Sequence, residues 1–113
     1  MNAKTAKFAY IWEYEVRDER LLEFSQIYGP QGQWVQLFSQ SSGYVRTELH
    51  RDIDKPNRFL TIDYWLSQAV RDQFREQYAS EFVALDERCE ALTVAERFVG
   101  DFELAEGGQE NAS

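Results

Sequence analysis

At 113 residues the chain is long enough to bury one hydrophobic core and too short for two, and its 43% apolar and 15% aromatic content is that of a folded globular domain. A formal charge of -8 at neutral pH argues against nucleic acid as a partner, because binding a phosphate backbone needs a cationic footprint. No apolar run approaches the roughly 20 residues that span a bilayer, and nothing at the N-terminus has the uninterrupted apolar stretch of a signal peptide, so a cytoplasmic protein with no membrane partner is expected.

The first element is a strand. In Phe8-Ala9-Tyr10-Ile11-Trp12-Glu13-Tyr14-Glu15-Val16 the aromatic side chains fall on one face, while Ala9 and Ile11 begin the other. Asp18 is placed to cap a helix in which Leu21, Phe24 and Tyr28 recur at helical spacing and Leu22 widens the stripe, with Gly29-Pro30 as its stop. A second short helix after Gly32 buries Trp34, Leu37 and Phe38. Then Tyr44 to Arg51 alternates, with Val45, Thr47 and Leu49 opposed to Tyr44, Arg46, Glu48 and His50. A polar loop from Asp52 to Arg58 turns the chain into a third element of strand type, Phe59 to Trp65. Ser67 caps a helical stripe through Val70, Phe74, Tyr78, Phe82, Leu85, Cys89 and Leu92, with a bend at Ala79-Ser80, and Val94 to Phe102 forms the last strand.

Strand, helix, strand, strand, helix, strand is the order of an α+β, ferredoxin-like βαββαβ domain with one four-stranded antiparallel sheet in spatial order 4-1-3-2. The domain is expected over residues 1–105, with residues 106–113 as a disordered acidic tail and residues 1–4 frayed. Both faces of that sheet carry apolar side chains, and helices cover only one, so the other calls for a second copy: a homodimer packed sheet to sheet.

Asp63 interrupts the most apolar strand, so if it points inward it must be paired or have a raised pKa, as an acid or base requires. Glu96 raises the same question less strongly. His50-x-Asp52-x-Asp54 superficially resembles a metal set, but no further histidine or cysteine completes it, and no metal is expected. Cys89, the lone cysteine, reads as a buried structural thiol.

The pattern Tyr10-x-Trp12-x-Tyr14-x-Val16, Gly29-x-x-Gly32-x-Trp34-x-x-Leu37-Phe38, Gly43-Tyr44-x-x-Thr47-x-Leu49, Arg58-Phe59-x-x-Ile62-Asp63-x-Trp65, Phe74, Tyr78 and Glu96-x-x-x-Gly100 resembles the antibiotic biosynthesis monooxygenase family. The resemblance implies a dimeric α/β barrel with a pocket between sheet and helices. Some members oxygenate polycyclic phenols without metal or flavin, so no cofactor is expected, and others degrade haem. Cofactor-free oxygenation requires a base for a phenolic proton, flat aromatic walls and a partner for the anion. His50, Asp63 and Arg46 are the expected catalytic residues, and Tyr10, Trp12, Tyr14, Trp34, Tyr64 and Trp65 the expected substrate-binding set. The function implied is a monooxygenase of an electron-rich aromatic or quinol substrate. The alternatives are a non-catalytic dimer that binds a small aromatic or apolar metabolite, or a haem-degrading monooxygenase.

Overall fold

A computed structural model describes residues 5–106. The expected frayed start and all of the expected acidic tail except Glu106 lie outside these residues. The elements run β1 (Phe8–Val16), α1 (Leu21–Tyr28), α2 (Gln33–Phe38), β2 (Tyr44–Arg51), β3 (Arg58–Trp65), α3 (Gln68–Gln77), α4 (Ala79–Cys89) and β4 (Thr93–Glu103), with short 3-10 turns before α1 and after α4. The sheet is antiparallel in the order β2-β3-β1-β4, so the two most apolar strands lie in the middle as expected.

β1 fixes the two faces. Phe8, Tyr10, Tyr14 and Val16 are buried beneath the helices, whereas Ala9, Ile11 and Glu13 stand half-buried on the opposite side. On β3 the same alternation buries Phe59, Thr61, Asp63 and Trp65 and leaves Leu60, Ile62 and Tyr64 half-buried on the open face. Glu13 stands on that face and accepts hydrogen bonds from Arg58 on β3 and Arg97 on β4. The two guanidinium groups hold its carboxyl down at about 2.

The core is built of rings. Phe24 stacks on Tyr28 with centroids 4.2 Å apart and meets Phe59 at 5.1 Å and Tyr14 at 5.3 Å, tying α1 to the two central strands. Phe38, Tyr44, Trp65 and Phe74 form a second cluster at the other end. Gly43 makes room for that end, since a Cβ there would collide with the Val70 side chain of α3.

Ser67 caps α3 as expected, accepting from the Val70 amide at 3.2 Å, and the helical layer breaks at Tyr78, beside the expected Ala79-Ser80 bend. Two local expectations change. Asp18 does not cap α1: it sits in the preceding 3-10 turn and accepts from Asn57 Nδ2 at 2.7 Å, while Leu22 turns out to solvent. The second change is in β2. Its pairing with β3 slips between Tyr44 and Arg46, so that Tyr44 lies opposite Trp65 and Arg46 opposite Tyr64. Val45 is the extra residue of a β-bulge, and Tyr44 therefore joins Thr47 on the helix-covered side instead of sharing a face with Arg46, Glu48 and His50.

Arg71 is the buried charge that the apolar stripe conceals. It is 5% exposed, forms a two-pronged bridge to Asp101 on β4 at 3.1 Å for each prong, and lies over the rings of Phe8 and Tyr10. It clamps α3 to the outer strand.

Candidate active site

A cavity of about 230 Å³ lies between the sheet and the helices. Tyr10, Trp12 and Tyr14 of β1, Thr47 of β2, Thr61 and Asp63 of β3 and Glu96 of β4 form its sheet side. Tyr28, Trp34 and Phe38 of α1 and α2, Arg75 of α3, and Phe82 and Asp86 of α4 close it from above. Seven of the thirteen lining residues are aromatic and six are polar or charged, so flat walls and polar anchors share the cavity, as a small-molecule site requires.

Asp63 is its deepest charged group. It is 6% exposed and accepts one hydrogen bond, from Thr47 Oγ1 at 2.6 Å. Burial pushes its carboxyl up to about 7, opposed by the Thr47 hydroxyl and by the positive charge of Arg71. A carboxyl poised there exchanges protons at neutral pH, as a general base must. Tyr14 beside it is held neutral, its phenol raised far above the ordinary value by burial. Arg75 donates to the Tyr10 hydroxyl at 3.1 Å and lies 4.3 Å from the centroid of the Phe82 ring, so its charge is steered along the cavity wall. Toward solvent stand Asp86 and Glu96. The Glu96 carboxyl is raised by partial burial and by the like charges of Asp86 and Glu90, and it accepts from Thr93 Oγ1 at 3.1 Å.

The expected site residues divide between the two faces of the sheet. Asp63, Tyr10, Trp12, Tyr14 and Trp34 come together around the cavity. His50, Arg46 and Tyr64 gather on the open face, where Glu48 joins them: His50 Nε2 lies 3.1 Å from its Oε1, Arg46 Nη2 donates to its Oε2 at 3.2 Å, and the Arg46 guanidinium covers the Tyr64 ring at 4.1 Å. Trp65 packs in the core next to Phe38 and Phe74, off the cavity lining. The catalytic trio expected from the sequence is thus not assembled in one pocket. Asp52 is engaged locally, accepting from the amides of Asp54 and Lys55 and from Arg58.

Several lining groups, Arg75, Thr61, Tyr28 and Asp86 among them, carried no functional signal in the sequence. Arg75 had one available cue: it falls four positions after Arg71 and three before Tyr78, on the flank of the buried stripe.

No family model matches this chain, and no curated protein sequence does. Solved structures do match over nearly its whole length. A single-residue variant of SnoaB, a cofactor-independent oxygenase from Streptomyces nogalater, superposes with a TM-score of 0.72 at 19% identity, covering 94% of this chain and 100% of that one. A protein from Deinococcus radiodurans assigned as an antibiotic biosynthesis monooxygenase gives 0.68 at 13% identity, covering 93% and 99%. A similarly assigned protein from Bordetella bronchiseptica gives 0.67 at 16%, covering 88% and 97%. The chain therefore has the ferredoxin-like α+β fold of the antibiotic biosynthesis monooxygenase-like proteins. At this level of identity the shared property is the fold.

Proposed function

We propose that the chain is a cofactor-independent monooxygenase of an electron-rich, flat phenol or quinol, with Asp63 as its base. The observation that carries this reading is a buried carboxyl with a pKa near neutrality at the bottom of an aromatic cavity. In the reaction, the Asp63 carboxylate takes the phenolic or enolic proton. The substrate anion passes one electron to O2, and the resulting radical and superoxide combine to form a C–O bond. The peroxide takes up a proton and loses water, leaving a carbonyl where a ring CH2 stood. One CH2 and one O2 give one C=O and one H2O, so the substrate supplies all four electrons and no external reductant enters. Arg75 faces the anion, and Trp12 and Trp34 flank the rings.

The test is oxygen uptake with 1,8-dihydroxyanthrone. The expected result is one O2 consumed per anthraquinone formed, measured by electrode and by absorbance. Binding of the anthrone with no uptake above the protein-free rate overturns the oxygenase reading and leaves a binding protein.

The same proposal includes a homodimer formed over the open sheet face. Its support is the half-buried row of Ile11, Leu60, Ile62 and Tyr64 with the exposed Phe102, set among the charges of Glu13, Arg58, Arg97, Arg46 and Glu48, a pattern in which an apolar centre has a rim of both signs. Sedimentation at micromolar concentration is expected to give twice the chain mass, and Ile62→Glu to give a folded single chain. A wild-type protein that sediments as a monomer refutes the dimer.

A further inference from the structure

We infer that Tyr44 and Thr47 form a two-hydroxyl relay whose protons both point at Asp63 and keep it ionised for its task. The inference rests on Asp63 acting as the base and adds the two positioning residues behind it.

The argument is one of counting protons. Thr47 Oγ1 lies 2.6 Å from Asp63 Oδ1 and 2.7 Å from the Tyr44 hydroxyl oxygen. An ionised carboxylate only accepts, so the single Thr47 proton must be directed at Asp63. The contact between Tyr44 and Thr47 then has one possible sense: Tyr44 donates and Thr47 accepts. The two O–H dipoles line up head to tail toward the carboxylate, and each strengthens the other in a site shielded from water. Burial also fixes the proton on Tyr44, since its phenol is pushed up to about 12. All three residues are withdrawn from bulk solvent, at 6% exposure for Tyr44, 7% for Thr47 and 6% for Asp63.

The other groups facing Asp63 do not take over this role. Arg71, from α3, stabilises the carboxylate through its charge, while each of its three guanidinium nitrogens donates to Asp101 or Asp72. Arg75 is bound to Tyr10. Tyr14, on β1, is coupled to Asp63 by charge and is hydrogen-bonded with Thr61, and Asp86 and Glu96 bring only like charge to the cavity lining. Thr47 is the one hydroxyl bonded to Asp63 among the described residues.

The test follows the Asp63 carboxyl directly, by carbon-13 NMR of aspartate-labelled protein, beside oxygen uptake with 1,8-dihydroxyanthrone as a function of pH. Thr47→Val is expected to raise the Asp63 midpoint by about one pH unit, which leaves about fivefold less carboxylate at pH 7. Tyr44→Phe moves it the same way by less, and Thr47→Ser restores the wild-type midpoint. The acidic limb of the uptake profile moves with the NMR midpoint, and kcat recovers at high pH. If Thr47→Val does not fold, Tyr44→Phe and Thr47→Ser carry the comparison. An Asp63 midpoint unchanged in the folded variants overturns the relay. A midpoint that moves as expected, in a protein that consumes no oxygen, upholds the relay and removes the oxygenase reading.

Discussion

Asp63→Asn is expected to lower kcat/KM for 1,8-dihydroxyanthrone by about 10²- to 10⁴-fold, the range that a positioned general base contributes. The side chain keeps its size and its contact with Thr47, so the loss reads out proton transfer and not a collapsed cavity. In the wild type, activity should rise with pH through about 7, where the Asp63 carboxyl loses its proton, and the amide substitution should abolish that limb. Stability should move the other way. The native carboxyl titrates near 7 and an unfolded one near 3.8, so between those values the native state holds a proton that the unfolded chain has lost. Native stability therefore falls as pH rises through that window and is level above it. Because the carboxyl rises from 3.8 to about 7, Asp63→Asn should be more stable at pH 8 by up to about 4 kcal/mol, an upper limit reduced by relaxation and water entry. Urea titrations of both proteins at pH 4 and pH 8 check the sign: a gap that widens with pH supports a strained buried carboxylate, and a constant gap contradicts it.

Phe24→Ala should cause the largest loss of stability, about 3–5 kcal/mol, seen as a drop in Tm of more than about 10 °C. Phe24 has no exposed surface and its ring contacts join α1 to β1 and β3. Removing it opens a void that rings cannot fill by small shifts, because the aromatic cluster is stiff and mutually stacked. Two of its contacts, Tyr14 and Tyr28, are also walls of the cavity, so affinity for a flat ligand should weaken together with Tm. Leu22→Ala on the same helix is the control, since Leu22 is 73% exposed and its truncation should change Tm by only a degree or two.

The two faces of the sheet were legible in the sequence because period-two alternation leaves no choice about which side of β1 and β3 is buried. Asp63 was legible for the same reason: a carboxylate at an inward position of an apolar strand must be explained. His50 and Arg46 have the chemistry of a base and an anion partner, and their shared parity on β2 puts both on the open face. The sequence offered no way to tell which side of the sheet held the cavity, since that depends on how α1, α2 and α4 leave space above Thr47 and Thr61. Arg75 and Asp86 were hidden because helix flanks carry charge in most proteins, whether or not a cavity lies beside them. Asp18 misled because an acidic residue before an apolar helix satisfies capping chemistry equally well from one turn away, and here Asn57 claims its oxygen.

The extra residue at Val45 decides which surface the Tyr44 hydroxyl meets. Three positions separate Tyr44 from Thr47, an odd interval that in a regular ribbon sends two side chains to opposite surfaces. The irregular step cancels that parity, and a phenol that would otherwise meet solvent turns inward behind the threonine. A single inserted amino acid, with no new functional group, is enough to recruit a distant hydroxyl to an interior acid, and shortening the strand by one residue at the same place would dismiss it.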